Sequence, residues 1–222
     1  MPDLSPLWLT LRLALLVTAI LMVLATPLAW WLARTRSRAR PFAEALTALP
    51  LVLPPTVLGF YLLVTLNPTT WAGGAWRAVF GQPLTFSFAG LVLASVLYSL
   101  PFAVQPLQAA FAAVGRGPME AAASCGAGPA DAFLTVAAPM AARGYLAAAV
   151  LTFAHTVGEF GVVLMVGGNI PGQTRLISIA IYESVERIDY PAAHALSAIL
   201  VALSFSVLLA LYWINRPTAA GE

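Results

Sequence analysis

Polar residues in this chain are bunched, and between the bunches the sequence is almost continuously apolar. Runs of about 20 apolar residues are long enough to cross a bilayer as helix. On that criterion the sequence predicts five spans, over about 8–33, 42–66, 86–109, 143–166 and 192–214. Segments 34–41, 67–85, 110–142 and 167–191 are the connections, and 215–222 is a short tail. The expected fold is all-α, a polytopic membrane helical bundle filling 8–214. Proline recurs inside the runs, at Pro27, Pro50, Pro54, Pro55, Pro101 and Pro106. Each removes a helix hydrogen bond, which leaves two readings: packing kinks, or broken helices lining a water-filled path. The adjacent Pro54 and Pro55 favour the second.

Composition supports the membrane reading and removes alternatives. Mean hydropathy is +0.87, and only 9% of residues are charged. A formal charge of +2 gives no basis for nucleic-acid binding. Cys125 is the only cysteine, so there is neither a disulfide framework nor a cysteine-based metal site. All eleven basic residues are Arg. Without Lys there can be no P-loop, whose Lys reaches the β- and γ-phosphates. Any ATP-driven work therefore requires a partner, which would bind the ATP and Mg; no cofactor is expected in this chain. The first run lacks a basic leading segment and is too long for a signal peptide, so it is expected to remain as a span.

The arginines also orient the bundle. Arg34, Arg36, Arg38, Arg40, Arg116, Arg143 and Arg216 fall on one side of the predicted membrane. Arg77, Arg175 and Arg187 lie on the other, with Arg12 at its boundary. Positive charge inside places the N-terminus outside and the C-terminus in the cytoplasm. The 110–142 connection is then cytoplasmic. Within it, "GRGPMEAAASCGAGPADAF" reads as two short helices, started by Pro118 and Pro129 and separated by Gly126 to Gly128. Pro139 interrupts the chain before the fourth span. Helices with such small side chains suit close approach by a partner.

Glu120-Ala121-Ala122, then Gly126, Val136 and Pro139 at their spacings, resemble the EAA loop of ABC-importer permeases. Ala138 departs from the pattern, which has Leu there. The resemblance implies a type I ABC importer permease fold and a coupling loop at 117–139, with Glu120, Ala121, Ala122, Gly126, Val136 and Pro139 as its residues. "LPLVLPPTVLGF" (49–60) and "GEFGVVLMVGGNIPGQTRLISIAIY" (158–182) extend the resemblance to the permease subunits of molybdate importers. Sulfate/thiosulfate permeases share parts of both stretches and are the alternative; a passive channel or scaffold would leave the loop unexplained. The implied partners are two ATPase subunits, an extracytoplasmic molybdate-binding protein, a second copy of this chain and membrane lipid. Molybdate, with tungstate beside it, is the implied cargo.

Candidate pathway or gate residues are Pro54, Pro55, Thr56, Thr152, His155, Thr156 and Glu159. At ~100° per residue the last four share one face of the fourth helix, with His155 and Glu159 an i,i+4 pair able to meet. A carboxylate repels a dianion, so Glu159 is not expected to be a substrate ligand. It is either part of a gate, held by His155 or by backbone N–H groups near Gly158 and Gly161, or a satisfied polar pair between helices. Thr65, Ser95 and Ser99 are open to path-lining or packing roles, and Trp71 and Trp76 to interface or membrane-belt roles. Converging ligands of a membrane enzyme are missing, since His155 and His194 lie on different spans.

Overall fold

The computed structural model describes residues 3–214. Arg216 and the expected tail, 215–222, lie outside the described residues. In chain order the helices are α1 (Ser5–Arg34), α2 (Arg40–Val52), α3 (Pro55–Thr65), α4 (Trp71–Phe80), α5 (Phe88–Val114) and α6 (Gly117–Ser124). They continue with α7 (Pro129–Met140), α8 (Ala142–Val157), α9 (Gly161–Gly167), α10 (Ile177–Glu186) and α11 (Tyr190–Ile214). Among the described residues every regular element is helical.

The core lies where α1, α5 and α8 pack together. Hydropathy cannot choose the inward face of α1, because apolar residues surround it; size and spacing do. Thr10, Leu13, Ala14, Val17, Leu21, Ala25 and Ala29 are buried at steps of one to four residues, a stripe at helical period. Leu15, Leu16, Val23 and Leu24 point outward, as suits a helix surrounded by lipid. Close approach of α5 and α8 depends on Gly144, where a built Cβ would overlap Ala110 Cβ and lie 3.4 Å from the Pro106 carbonyl oxygen. Gly144→Ala should therefore destabilise the chain by about 1–3 kcal/mol, the usual range for an overpacked contact. Adding Ala110→Gly should restore much of the loss. Thermal unfolding of the single and double variants checks this, and an unchanged midpoint for Gly144→Ala would contradict it.

The break favoured at Pro54 and Pro55 is present, and one expected span is corrected. The run 42–66 is not one helix: α2 and α3 meet at 110° across Leu53 and Pro54. Leu53 and Pro54 are extended, with ψ 136 each, as proline imposes on the residue before it. Pro50 sits inside α2 without ending it. The run 143–166 also breaks, since α8 ends at Val157 and α9 starts afresh at Gly161. Hydropathy runs on through the break, but Gly158 and Gly161 flank it and weaken helix propagation. The third span extends past the expected 109 to Val114 and stops at Gly115, with φ +70. Its internal Pro101 and Pro106 are accommodated without a break.

Two expected connections contain helices. In 67–85, Thr70 Oγ1 accepts the Gly73 N–H to start α4, which ends at Gly81 with φ +72. In 167–191, α10 buries Ile177 and Ile179, and the Ile177 N–H donates to Thr10 Oγ1 of α1 at 2.9 Å. α10 is thus part of the bundle. α11 packs on α10 and α8 at the periphery.

Candidate functional site

The polar connection between α5 and α8 folds as the two-helix unit its sequence predicts. Pro118 lies in the first turn of α6 and Glu120 follows it there. The helix closes by a Schellman motif: the Gly126 N–H donates to the Ala123 carbonyl and the Ala127 N–H to the Ala122 carbonyl, each at 3.0 Å. Gly126 has φ +89, the left-handed conformation this closure requires. α7 starts at Pro129 and widens to a π-helical turn over Phe133–Ala137, which includes half-buried Val136. It then bends by 70° into α8. Pro139 lies near that bend and is exposed.

One side of the unit is bare and the other is anchored. Glu120, Ala121, Ala123, Ser124, Cys125, Gly126, Ala130 and Asp131 are exposed, while Ala122 is half-buried. On the inner side Phe133 packs edge-on against Trp30 of α1, with ring centroids 5.0 Å apart. Trp30 in turn meets Phe111 of α5 at 5.2 Å, and Phe111 meets Tyr145 of α8 at 5.8 Å. Ring-on-ring contacts thus connect α7 to all three core helices. Arg34 lies over the Trp30 ring at 4.4 Å. Arg34, Arg116 and Glu120 line a cavity of about 490 Å³ between the ends of α1 and α5 and the start of α6.

The second site forms where the two broken runs meet. A Cβ on Gly161 would lie 2.8 Å from Pro55 Cβ, and one on Gly59 2.8 Å from Met165 Cβ. Only glycine permits α3 and α9 to approach this closely. Beside that contact a cleft of about 540 Å³ is lined by Pro55, Thr56, Tyr98, Ala154, His155, Gly158, Glu159, Phe160 and Gly161. Pro54 forms the bend behind it.

The expected pairing of His155 with Glu159 is not formed, nor is a hydrogen bond from backbone N–H groups to that carboxylate. With the helix broken at Gly158, the i,i+4 geometry no longer applies. His155 Nδ1 instead shares a hydrogen bond of 2.9 Å with Ser99 Oγ of α5, and its ring stacks on Phe102 at 4.0 Å. Ser99 Oγ also meets Thr156 Oγ1 at 3.0 Å, and Thr156 donates back to the Thr152 carbonyl at 2.9 Å. Thr152, Thr156 and His155 thus form a polar seam against α5, with both threonines fully buried. Glu159 is 3% exposed, and neither carboxylate oxygen has a hydrogen-bond partner among the described residues. Ser95 Oγ faces the carboxylate without meeting hydrogen-bond geometry, and Thr152 Oγ1 likewise has no hydrogen-bond partner among the described residues. The Glu159 main chain is fixed by Ser178 Oγ of α10, which donates to its carbonyl at 2.6 Å. Phe102 and Ser178 were beyond sequence reasoning at this site, and Ser99 was a candidate without a legible partner, since each contact arises through tertiary packing.

On the far side from the two-helix unit, Asn169, Arg175, Glu183 and Arg187 form a surface network around the Glu183 carboxylate. Asp3 is nearby, its carboxyl held below the usual range by hydrogen bonds from the Ser5 N–H and hydroxyl. Trp71 is exposed, whereas Trp76 stacks on Phe80 at 4.0 Å and packs against the bundle.

Known proteins resemble this chain in sequence and in fold. The molybdenum transport system permease protein ModB of Azotobacter vinelandii is 57% identical over 96% of this chain and 95% of its own length. The sulfate transport system permease protein CysT of Escherichia coli K12 is 34% identical over 85% of this chain and 66% of its own. The fold is shared with a chain of the inward-facing MetNI methionine ABC transporter, at TM-score 0.73 and 20% identity over 95% of this chain and 93% of that one. Residues 25–219 match the family described as binding-protein-dependent transport system inner membrane component. The broken spans, the anchored two-helix unit and this match lead to one conclusion: the chain belongs to that family of inner-membrane transport permeases.

Proposed function

We propose that the chain is the permease subunit of an ATP-driven molybdate importer, coupled through α6 and α7 to a separate ATPase. The observation that carries the substrate is the 57% identity to a molybdenum permease across nearly the whole chain, against 34% for the sulfate permease. In this reading two copies of the chain enclose the path, two ATPase subunits dock on the exposed face of α6, and a binding protein delivers the oxyanion from outside. The N-terminus is external and the C-terminus cytoplasmic, as the arginine distribution favours.

The mechanism follows the contacts. ATPase closure displaces Glu120 to Asp131 as a unit, because the Schellman closure makes α6 and its stop rigid. Phe133 passes the displacement to Trp30 and Phe111, and so to α1 and α5. α5 carries Ser95 and Ser99, which face Glu159 and the His155–Thr156 seam. Sliding α5 against α8 therefore changes the cleft at Pro55, Thr56 and Glu159, the proposed gate. Glu159 acts there by shape and polarity, since a bare carboxylate repels a dianion.

The test is uptake by the complex reconstituted with its binding protein. Tungstate should compete with labelled molybdate at near-equal concentration, and sulfate only at large excess. Sulfate that stimulates ATP hydrolysis as well as molybdate would move the assignment to the sulfate class.

A further inference from the structure

A third cavity, of about 520 Å³, lies on the outer flank of the bundle, away from both sites. Its one charged lining residue is Arg12. Below Arg12 on the same face of α1 come Leu16, Ile20 and Leu24, each four residues on, and α5 supplies Phe88, Val92 and Val96 opposite. The Arg12 guanidinium lies 4.9 Å from the centroid of the Phe88 ring and has no acidic partner among the described residues. An arginine within a span is expensive unless it reaches polar groups, at about 2.5–3.5 kcal/mol on insertion scales near the bilayer centre. Arg12 lies one turn inward of exposed Trp8, the residue type enriched at the headgroup level.

We propose that this groove binds an anionic phospholipid of the leaflet nearer the N-terminus, its phosphate on Arg12 and one acyl chain along the groove. Charge and length both select this occupant. The free guanidinium matches a phosphate in geometry and sign. From Arg12 to Leu24 the groove runs about 18 Å at ~1.5 Å per residue, close to half of a ~30 Å hydrocarbon core. Trp76, on α4, also lines the groove.

The test is native mass spectrometry of the full chain, in the complex in which it purifies, titrated with phosphatidylglycerol or phosphatidylcholine of identical acyl chains. The wild type should hold one phosphatidylglycerol per chain at least about tenfold more tightly than phosphatidylcholine, whose choline cation offsets its phosphate charge and repels Arg12. Arg12→Gln should erase that preference. Leu16→Trp, which keeps the charge but fills the groove, should lower retention of both lipids. Both sites are exposed, and the assembled mass of each complex reports folding in the same spectrum. Equal phosphatidylglycerol retention by wild type and Arg12→Gln would overturn the proposal. So would displacement of the lipid by glycerophosphoglycerol alone, which would mark a free-anion site. Efficient disulfide formation between two copies carrying Leu16→Cys would also overturn it, by showing the groove covered by a second chain.

Discussion

Gly126→Val is expected to abolish ATP-dependent transport while the chain still inserts and folds. The position is exposed, and a Cβ built on it meets nothing within 4 Å, so no clash arises. The damage is to the backbone. With φ +89, Gly126 holds the left-handed residue of the Schellman closure, and a β-branched side chain there costs on the order of 1–3 kcal/mol locally. Releasing the two closing hydrogen bonds lets α6 fray and separates Glu120 from Asp131 as one body. A frayed helix cannot transmit a push, so uptake should fall to background while ATP hydrolysis loses its dependence on loaded binding protein. Gly126→Asn tolerates the same φ better and should retain part of the transport. Normal uptake by Gly126→Val with the ATPase bound would mean that this unit is not the lever.

Glu159 gives the second large effect, and three variants separate its possible roles. Glu159→Gln keeps shape and polarity and should keep substantial transport. Glu159→Leu should assemble as well as wild type, because the carboxylate has no hydrogen bond to lose and removing a buried, unpaired charged group seldom destabilises. Yet it should lose most transport, since an apolar plug replaces the polar wall between Thr56 and His155. Ser99→Ala, by contrast, leaves His155 and Thr156 without their shared partner and should lower stability by about 1–3 kcal/mol. Complete loss of transport in a well-assembled Glu159→Gln complex would show that the charge itself is required. Failure of Glu159→Leu to assemble would instead assign the residue a structural role.

What the sequence made legible was local, and what it hid was tertiary. The two-helix unit was readable because proline starts and a glycine stop act within a few residues of themselves. The stacked prolines at 54–55 likewise announced a break, although not its 110° angle. The break at Gly158 stayed hidden because Val157, Phe160 and Val162 keep hydropathy high across it. The pairing of His155 with Glu159 assumed an unbroken helix, whereas the real partner, Ser99, is 56 residues away in sequence. α4 and α10 were missed for another reason. Both are short and lie in connections, where a search for spans does not look, though the Thr70 cap and the apolar spacing of "ISIAI" were available signals.

This permease is expected to move an oxyanion only when a partner hydrolyses ATP. The most direct measurement is labelled molybdate uptake into proteoliposomes containing the chain, its ATPase subunit and a molybdate-binding protein on the face opposite the ATPase. Accumulation above the outside concentration, dependent on ATP and lost in Gly126→Val, is the predicted result. Molybdate that merely equilibrates, with or without ATP, would rule out coupled import and identify a channel.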